Sequence, residues 1–322
     1  MKNLLITGPV SYSKYKIDNK NIFMFGDVYH SKYYRCKEKS ITIPKLINNL
    51  AKKYNNKYID FFLEAPYSNI DSNYKSSFIQ SYKTQLLTKT GFVEVQKYYE
   101  KYGCFTKNRK LCEYKFPNIR FHAADFRVSH CNENINMNNF IQILHVILEM
   151  VYKGIDSKIV KKFIPIIKNF DTIDKLYKNI LKILQCEKIK TQFNKIDKIY
   201  STKIDRFMKK QLLELKNKYK SDYNKNIKSV YDFLYKKPYN TFTFDLHIRK
   251  LIEIYVEMNT IIMDTYLLAR LFKPYTKNIF IYAGDAHILR YQTFFDKILK
   301  NNPIDLGKQI SYRCIKIKEI TL

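Results

Sequence analysis

Four short apolar runs constrain this chain more than any other feature. Ile22–Phe25, Tyr58–Leu63, Ile119–Ala123 and Ile279–Ala283 are each four to six residues long, and each breaks off into polar residues. Runs of that length, rich in Ile, Phe and Tyr and bounded by Gly, Pro or Asp, read as buried strands. Helical periodicity fills much of the space between them. Pro44 opens one helix through Leu46, Leu50 and Tyr54. Others are expected over Ser81–Tyr99, Met137–Tyr152 and Leu246–Phe272, and after His287. Strands alternating with helices predict an α/β fold, a mainly parallel sheet flanked by helices. Val10–Ile17 alternates ahead of the turn signal Asp18-Asn19-Lys20-Asn21, which predicts a hairpin onto the sheet edge. A last strand is expected over Ile310–Ile317.

Residues 151–240 differ in kind. They carry 23 basic and nine acidic side chains, no Ala and no His. Ile173, Leu176, Tyr177, Ile180, Leu181 and Leu184 recur at helical spacing. The stretch reads as a Lys-rich insertion or cap of two to four helices. Residues 1–150 and 241–322 then form one discontinuous α/β domain.

The formal charge is +29, which invites a nucleic-acid partner. Only nine of the 58 basic residues are Arg, however, and Lys, Asn, Ile and Tyr are all abundant. An AT-rich genome produces that bias without selection for binding, and no nucleic-acid-binding motif accompanies it. Nucleic acid is therefore not favoured as a partner. No apolar run approaches the roughly 20 residues of a membrane span. The N-terminal apolar patch is too short for a secretory signal. The six Cys show no C-x-x-C pair and read as free thiols. An intracellular, soluble protein is expected.

The polar residues within and after the apolar runs are the candidate site. Six of the seven Ala, two of the seven Gly and four of the nine Arg gather in these segments or in the helices beside them. Asp27 and His30 follow Phe23-Met24-Phe25-Gly26. Glu64 ends the second run before Ala65-Pro66. Arg120, His122, Asp125 and Arg127 fall within eight residues. Asp285 and His287 follow Ala283-Gly284. In a parallel sheet the strand ends converge on one rim, where open α/β folds bind ligands. Two His among carboxylates can activate a water or hold a divalent metal. Arg supplies a planar clamp for a carboxylate or oxyanion. The candidate catalytic residues are His30, Glu64, His122, Asp125, Arg127, Asp285 and His287, with Arg120 binding substrate. Asp27, His30, Glu64 and His287 form the candidate metal set, for Zn²⁺, Mn²⁺ or Co²⁺. Asp264 and Arg270, in an apolar helix, are expected to be buried partners of the rim.

Gly26-Asp27-x-x-His30 resembles the G-E-x-x-H motif of the erythromycin-esterase family, with Asp in place of Glu. With Glu64 and Gly284-Asp285-Ala286-His287, the chain is also similar to the wider Tiki/TraB group, which is marked by two G-x-x-H motifs and includes ChaN-type haem-binding proteins. The first motif is one residue longer than that spacing. The ordered string F-G-D-x-x-H, F-L-E, R-x-H-x-x-D-x-R, M-D-x-Y-L-L-A-R and Y-A-G-D-A-H resembles proteins of amoebal giant viruses, whose composition it shares. The resemblance implies a hydrolase of an ester, amide or peptide bond, acting on a small molecule or peptide. It implies host cytoplasm or the virion as location. The alternatives are a haem- or metal-binding protein on the same rim, or a basic structural or nucleic-acid-associated viral protein.

Overall fold

The computed structural model describes residues 3–28, 36, 39–66, 91–102, 116–125, 140–149, 164–235 and 241–322. The chain divides into two compact units, Met1–Phe126 with Arg270–Leu322, and Arg127–Ala269.

The first unit is α/β. Its strands are β1 (Asn3–Thr7), β2 (Ser11–Ile17), β3 (Lys20–Asp27), β4 (Ile41–Thr42), β5 (Ile59–Pro66), β6 (Ile119–Asp125), β7 (Asn278–Gly284), β8 (Asp305–Leu306), β9 (Lys308–Ser311) and β10 (Cys314–Lys318). The larger sheet has the order β6-β5-β7-β3-β2-β8. The four apolar runs of the sequence are its contiguous parallel strands β6, β5, β7 and β3. β2 folds back antiparallel on β3 through a turn in which Asp18 takes φ +52°, which makes the expected hairpin.

Period-two alternation sorts the side chains of these strands. Phe23, Phe25, Phe61, Leu63, Phe280 and Tyr282 face one core. Helix α1 (Ile43–Lys53) closes this core with Ile43, Leu46, Ile47 and Leu50. Helix α2 (Gly91–Tyr102) adds Val95 and Tyr98 to it. A second sheet, β4-β1-β10-β9, adds Ile6, Ile315 and Ile317.

That second sheet corrects the reading of the C-terminus. Ile310–Ile317 is not one strand: β9 and β10 are antiparallel and meet at Tyr312-Arg313, where Arg313 takes φ +59°. Alternating apolar residues continue through the turn, so periodicity alone could not show the reversal.

The cysteines require a second correction. Cys36 and Cys314 form a disulfide, with Cα atoms 5.1 Å apart across 278 residues of sequence. Cys186 is also disulfide-bonded. No free thiol occurs among the described residues. Disulfides persist in oxidising surroundings, so the argument from free thiols to a reducing compartment falls away.

The second unit is helical. It holds α3 (140–149), α4 (Ile164–Lys168), α5 (Ile173–Leu184), α6 (Glu187–Phe193), α7 (Lys198–Tyr235) and α8 (Thr241–Leu271), which runs on to the first unit. Thr172 caps α5 by accepting the Lys175 amide. Phe140 stacks on Phe170 at 4.5 Å, and the Tyr223 hydroxyl donates to the Phe170 carbonyl at 2.7 Å. Four described helices lie within residues 151–240, and α3 and most of α8 group with them. No described helix is long and apolar enough to cross a membrane.

Candidate functional site

β3, β5 and β7 are neighbours, so their C-terminal ends bring Asp27, Glu64 and Gly284 to one rim. The chain leaves β7 straight into α9 (Asp285–Thr293), with Gly284 as its N-cap. One Glu64 carboxylate oxygen accepts the Gly284 amide at 2.7 Å. The other lies 3.2 Å from His287 Nε2. Glu64 and His287 are 9% and 4% exposed. A carboxylate at a helix N-terminus is stabilised by the amides and dipole there. It is then well placed to orient the imidazole one turn in.

Asp27 ends β3 beside this pair and is 1% exposed. Tyr282 donates to its Oδ2 at 2.5 Å, the Val28 amide to Oδ1 at 2.7 Å, and Arg313 forms an ion pair at 2.9 Å. Burial raises the Asp27 pKa above the ordinary carboxylate value, and the nearby Glu64 charge adds to the rise. Tyr282, Arg313 and the Val28 amide pull it back. Arg313 is 0% exposed and also donates to the carbonyls of Gly8 and Val28. Asp285 accepts the Ser11 hydroxyl directly over Gly26.

A second cluster lies at the other end of the same strands. Asp60, fully buried at the start of β5, receives a bidentate pair from Arg120 at 2.8 and 2.6 Å. Its Oδ1 is also 2.8 Å from His122 Nε2. Arg270 reaches His122 Nδ1 at 2.7 Å. Arg is always a donor, so Nδ1 accepts and Nε2–H donates to Asp60. The imidazole is thus neutral. This agrees with a pKa lowered first by burial, then by the two guanidinium groups, against the opposing pull of Asp60. Arg120 also lies over the rings of Tyr58 and Tyr275, at 5.1 and 5.0 Å.

The predicted residues therefore separate. Asp27, Glu64, Asp285 and His287 gather at the rim. Arg120, His122 and Arg270 gather on Asp60, four residues and about 13 Å along β5 from Glu64. Three β6 residues were expected on one rim because they are close in sequence. The pleat puts Arg120 and His122 on one face but spreads them along the strand. Asp264 is buried within α8, in the helical unit. Asp125 is described only as the last residue of β6, and His30 and Arg127 lie outside the described residues.

Four residues that sequence reasoning passed over complete the two clusters: Ser11, Asp60, Tyr282 and Arg313. Asp60 and Tyr282 sit inside the apolar runs. Arg313 carried one signal, an Arg in a chain that otherwise uses Lys. Among the described residues no three His, Cys, Asp or Glu side chains are grouped to hold a metal. The Asp27 and Glu64 oxygens already carry protein donors, and His30 belongs to the candidate metal set from outside the described residues. No protein-family model, curated protein or solved structure matches the chain.

Proposed function

We propose that this chain is a hydrolase in which His287, oriented by Glu64, takes the proton of a water attacking an ester, amide or peptide bond. The buried Glu64–His287 pair at the C-terminal rim of the parallel sheet carries the reading. The imidazole accepts the proton as the water oxygen bonds to the carbonyl carbon. Glu64 steadies the resulting imidazolium, and the same proton later passes to the leaving group. Asp27 is already compensated by Arg313, so it adds little repulsion to a second developing anion. The order of Gly-Asp and His motifs, which resembles erythromycin esterases, supports the same class. The Asp27 and Glu64 oxygens are engaged by Tyr282, Arg313, His287 and the Val28 and Gly284 amides, and the proton transfers of this reaction run through protein groups.

A panel of ester, amide and peptide substrates tests the proposal. His287→Ala is expected to lower kcat about 10²–10⁴-fold against any substrate the wild type cleaves. Because it also leaves the buried Glu64 carboxylate without its imidazole, kcat is read below the variant's own melting temperature. Glu64→Gln keeps the shape and loses the charge, and is expected to lower kcat by a smaller factor. Wild-type turnover in His287→Ala, or no cleavage of any substrate by metal-supplemented wild type, overturns the reading.

A further inference from the structure

A cleft of about 470 Å³ opens in the helical unit where the segment between α4 and α5 meets α7. That is within the size range of small-molecule sites. Lys168 and Lys228 line it, and Tyr231 and Tyr235 form one wall. The two rings are 6.4 Å apart and within 14° of parallel, and Tyr235 is 61% exposed.

The hydrogen-bonding inventory decides what fits. Asn224 uses its Oδ1 on the Ile173 amide, so its NH₂ remains a donor. Lys175 lies 2.9 Å from both oxygens of Asp171, which neutralises the one acid of the lining. One buried atom of the lining still lacks a hydrogen-bond partner among the described residues, Tyr231 Oη. Buried polar atoms left unmatched are costly, and so point to a missing partner. Lys is the background residue of this chain, so the two lysines weigh less than the Tyr231 hydroxyl and the ring wall.

We propose that this cleft binds a nucleotide. The phosphate lies with Lys168 and Lys228, and the base lies against the tyrosines. A ring nitrogen, as on adenine or cytosine, supplies an acceptor for the Tyr231 hydroxyl. A free mononucleotide and a nucleotide within a single strand share this chemistry. Stacking on tyrosine is tolerant of which base is bound.

Calorimetry on the full chain tests this with adenosine 5′-monophosphate, ribose 5-phosphate, adenosine and a ten-residue single-stranded oligodeoxyadenylate. The monophosphate is expected to bind with a sub-millimolar Kd, and ribose 5-phosphate and adenosine at least about tenfold more weakly. Tyr231→Phe removes one hydroxyl and is expected to weaken binding about five- to tenfold with unchanged Tm. Tyr235→Ala removes the exposed ring and is expected to cost about tenfold or more. Lys308→Ala, on β9, serves as the control and leaves the affinity unchanged. Tighter binding of the oligonucleotide that Tyr231→Phe and Tyr235→Ala also weaken identifies a strand as the source and supports the site. Three results overturn it: no binding at millimolar nucleotide, ribose 5-phosphate binding as well as the monophosphate, or affinities that the two tyrosine variants leave at the wild-type value.

Discussion

Arg313 shows how much one side chain can organise at this rim. It is fully buried, yet its guanidinium is matched by the Asp27 carboxylate and two backbone carbonyls. A buried charge is tolerable when paired and costly when its partner is removed. Arg313→Met strands the Asp27 carboxylate and is expected to lower stability by about 3–5 kcal/mol in urea unfolding. Adding Asp27→Asn is expected to recover part of that loss, so the two single effects should sum to more than the double variant's. Strict additivity would show that the pair is not coupled. Gly26 makes a second, independent point. A Cβ there would run into the Ser11 hydroxyl and the Asp285 carboxylate, with the Asp285 Cα only 3.1 Å away. Backbone cannot swing aside as a side chain can, so Gly26→Ala is expected to cost about 1–3 kcal/mol. A melting curve that overlays the wild type would refute that clash.

Among the elements, α3 offers a pH test. His145 is pushed down to about 4, by burial first and by the Arg249 charge second. A lowered folded value means that the neutral form is favoured in the folded state. Its contribution is then fully present above the ordinary His value of 6.5 and is lost as pH falls through about 4. His122 and His247 are lowered in the same direction. Asp27 is raised, so its contribution runs the other way: it is complete below 3.8 and is lost as pH rises through the folded value. Comparing wild type with His145→Leu isolates one group from the rest. The wild type is expected to lose about 1–2 kcal/mol more than the variant between pH 7 and pH 4, after screening at the exposed edge of the ring. Parallel stability curves over that interval would show that His145 does not titrate there. The helical stretches were legible from a 3.6-residue period and the parallel strands from short apolar runs. The β9–β10 turn was not, because Arg313 occupies a left-handed backbone position with no Gly to mark it.

At the scale of the whole molecule, the Cys36–Cys314 bond closes a loop of 278 residues of sequence. A crosslink of such span stabilises chiefly by restricting the unfolded chain. Cys36→Ser with Cys314→Ser is expected to lower stability by about 2–4 kcal/mol against the oxidised wild type. Under reducing agent, which also opens the Cys186 bridge in both proteins, the difference between wild type and double variant should close. If the double variant matches the oxidised wild type, the bridge contributes nothing to the fold. The stretch after residue 150 that loses Ala and His and gains Lys lies within the unit Arg127–Ala269. The apolar helix α3 and most of α8 group with that unit as well, and hydrophobic pattern alone does not say which core an apolar helix joins.

By itself the sequence determined the α/β class, the four parallel strands, the hairpin at β2–β3 and the arrival of Asp27, Glu64, Asp285 and His287 at strand ends. Each of these follows from local periodicity and from where an apolar run stops. Tertiary structure alone decided which polar groups meet. Strand order set β5 beside β7 and so put Glu64 against His287. Distance along the pleat separated His122 from them and gave it to Asp60. The return of the C-terminal hairpin carried Arg313 to Asp27 and Cys314 to Cys36. Contacts across nearly 300 residues depend on how the elements pack, and a one-dimensional pattern records each element's own faces but not the partner each face receives.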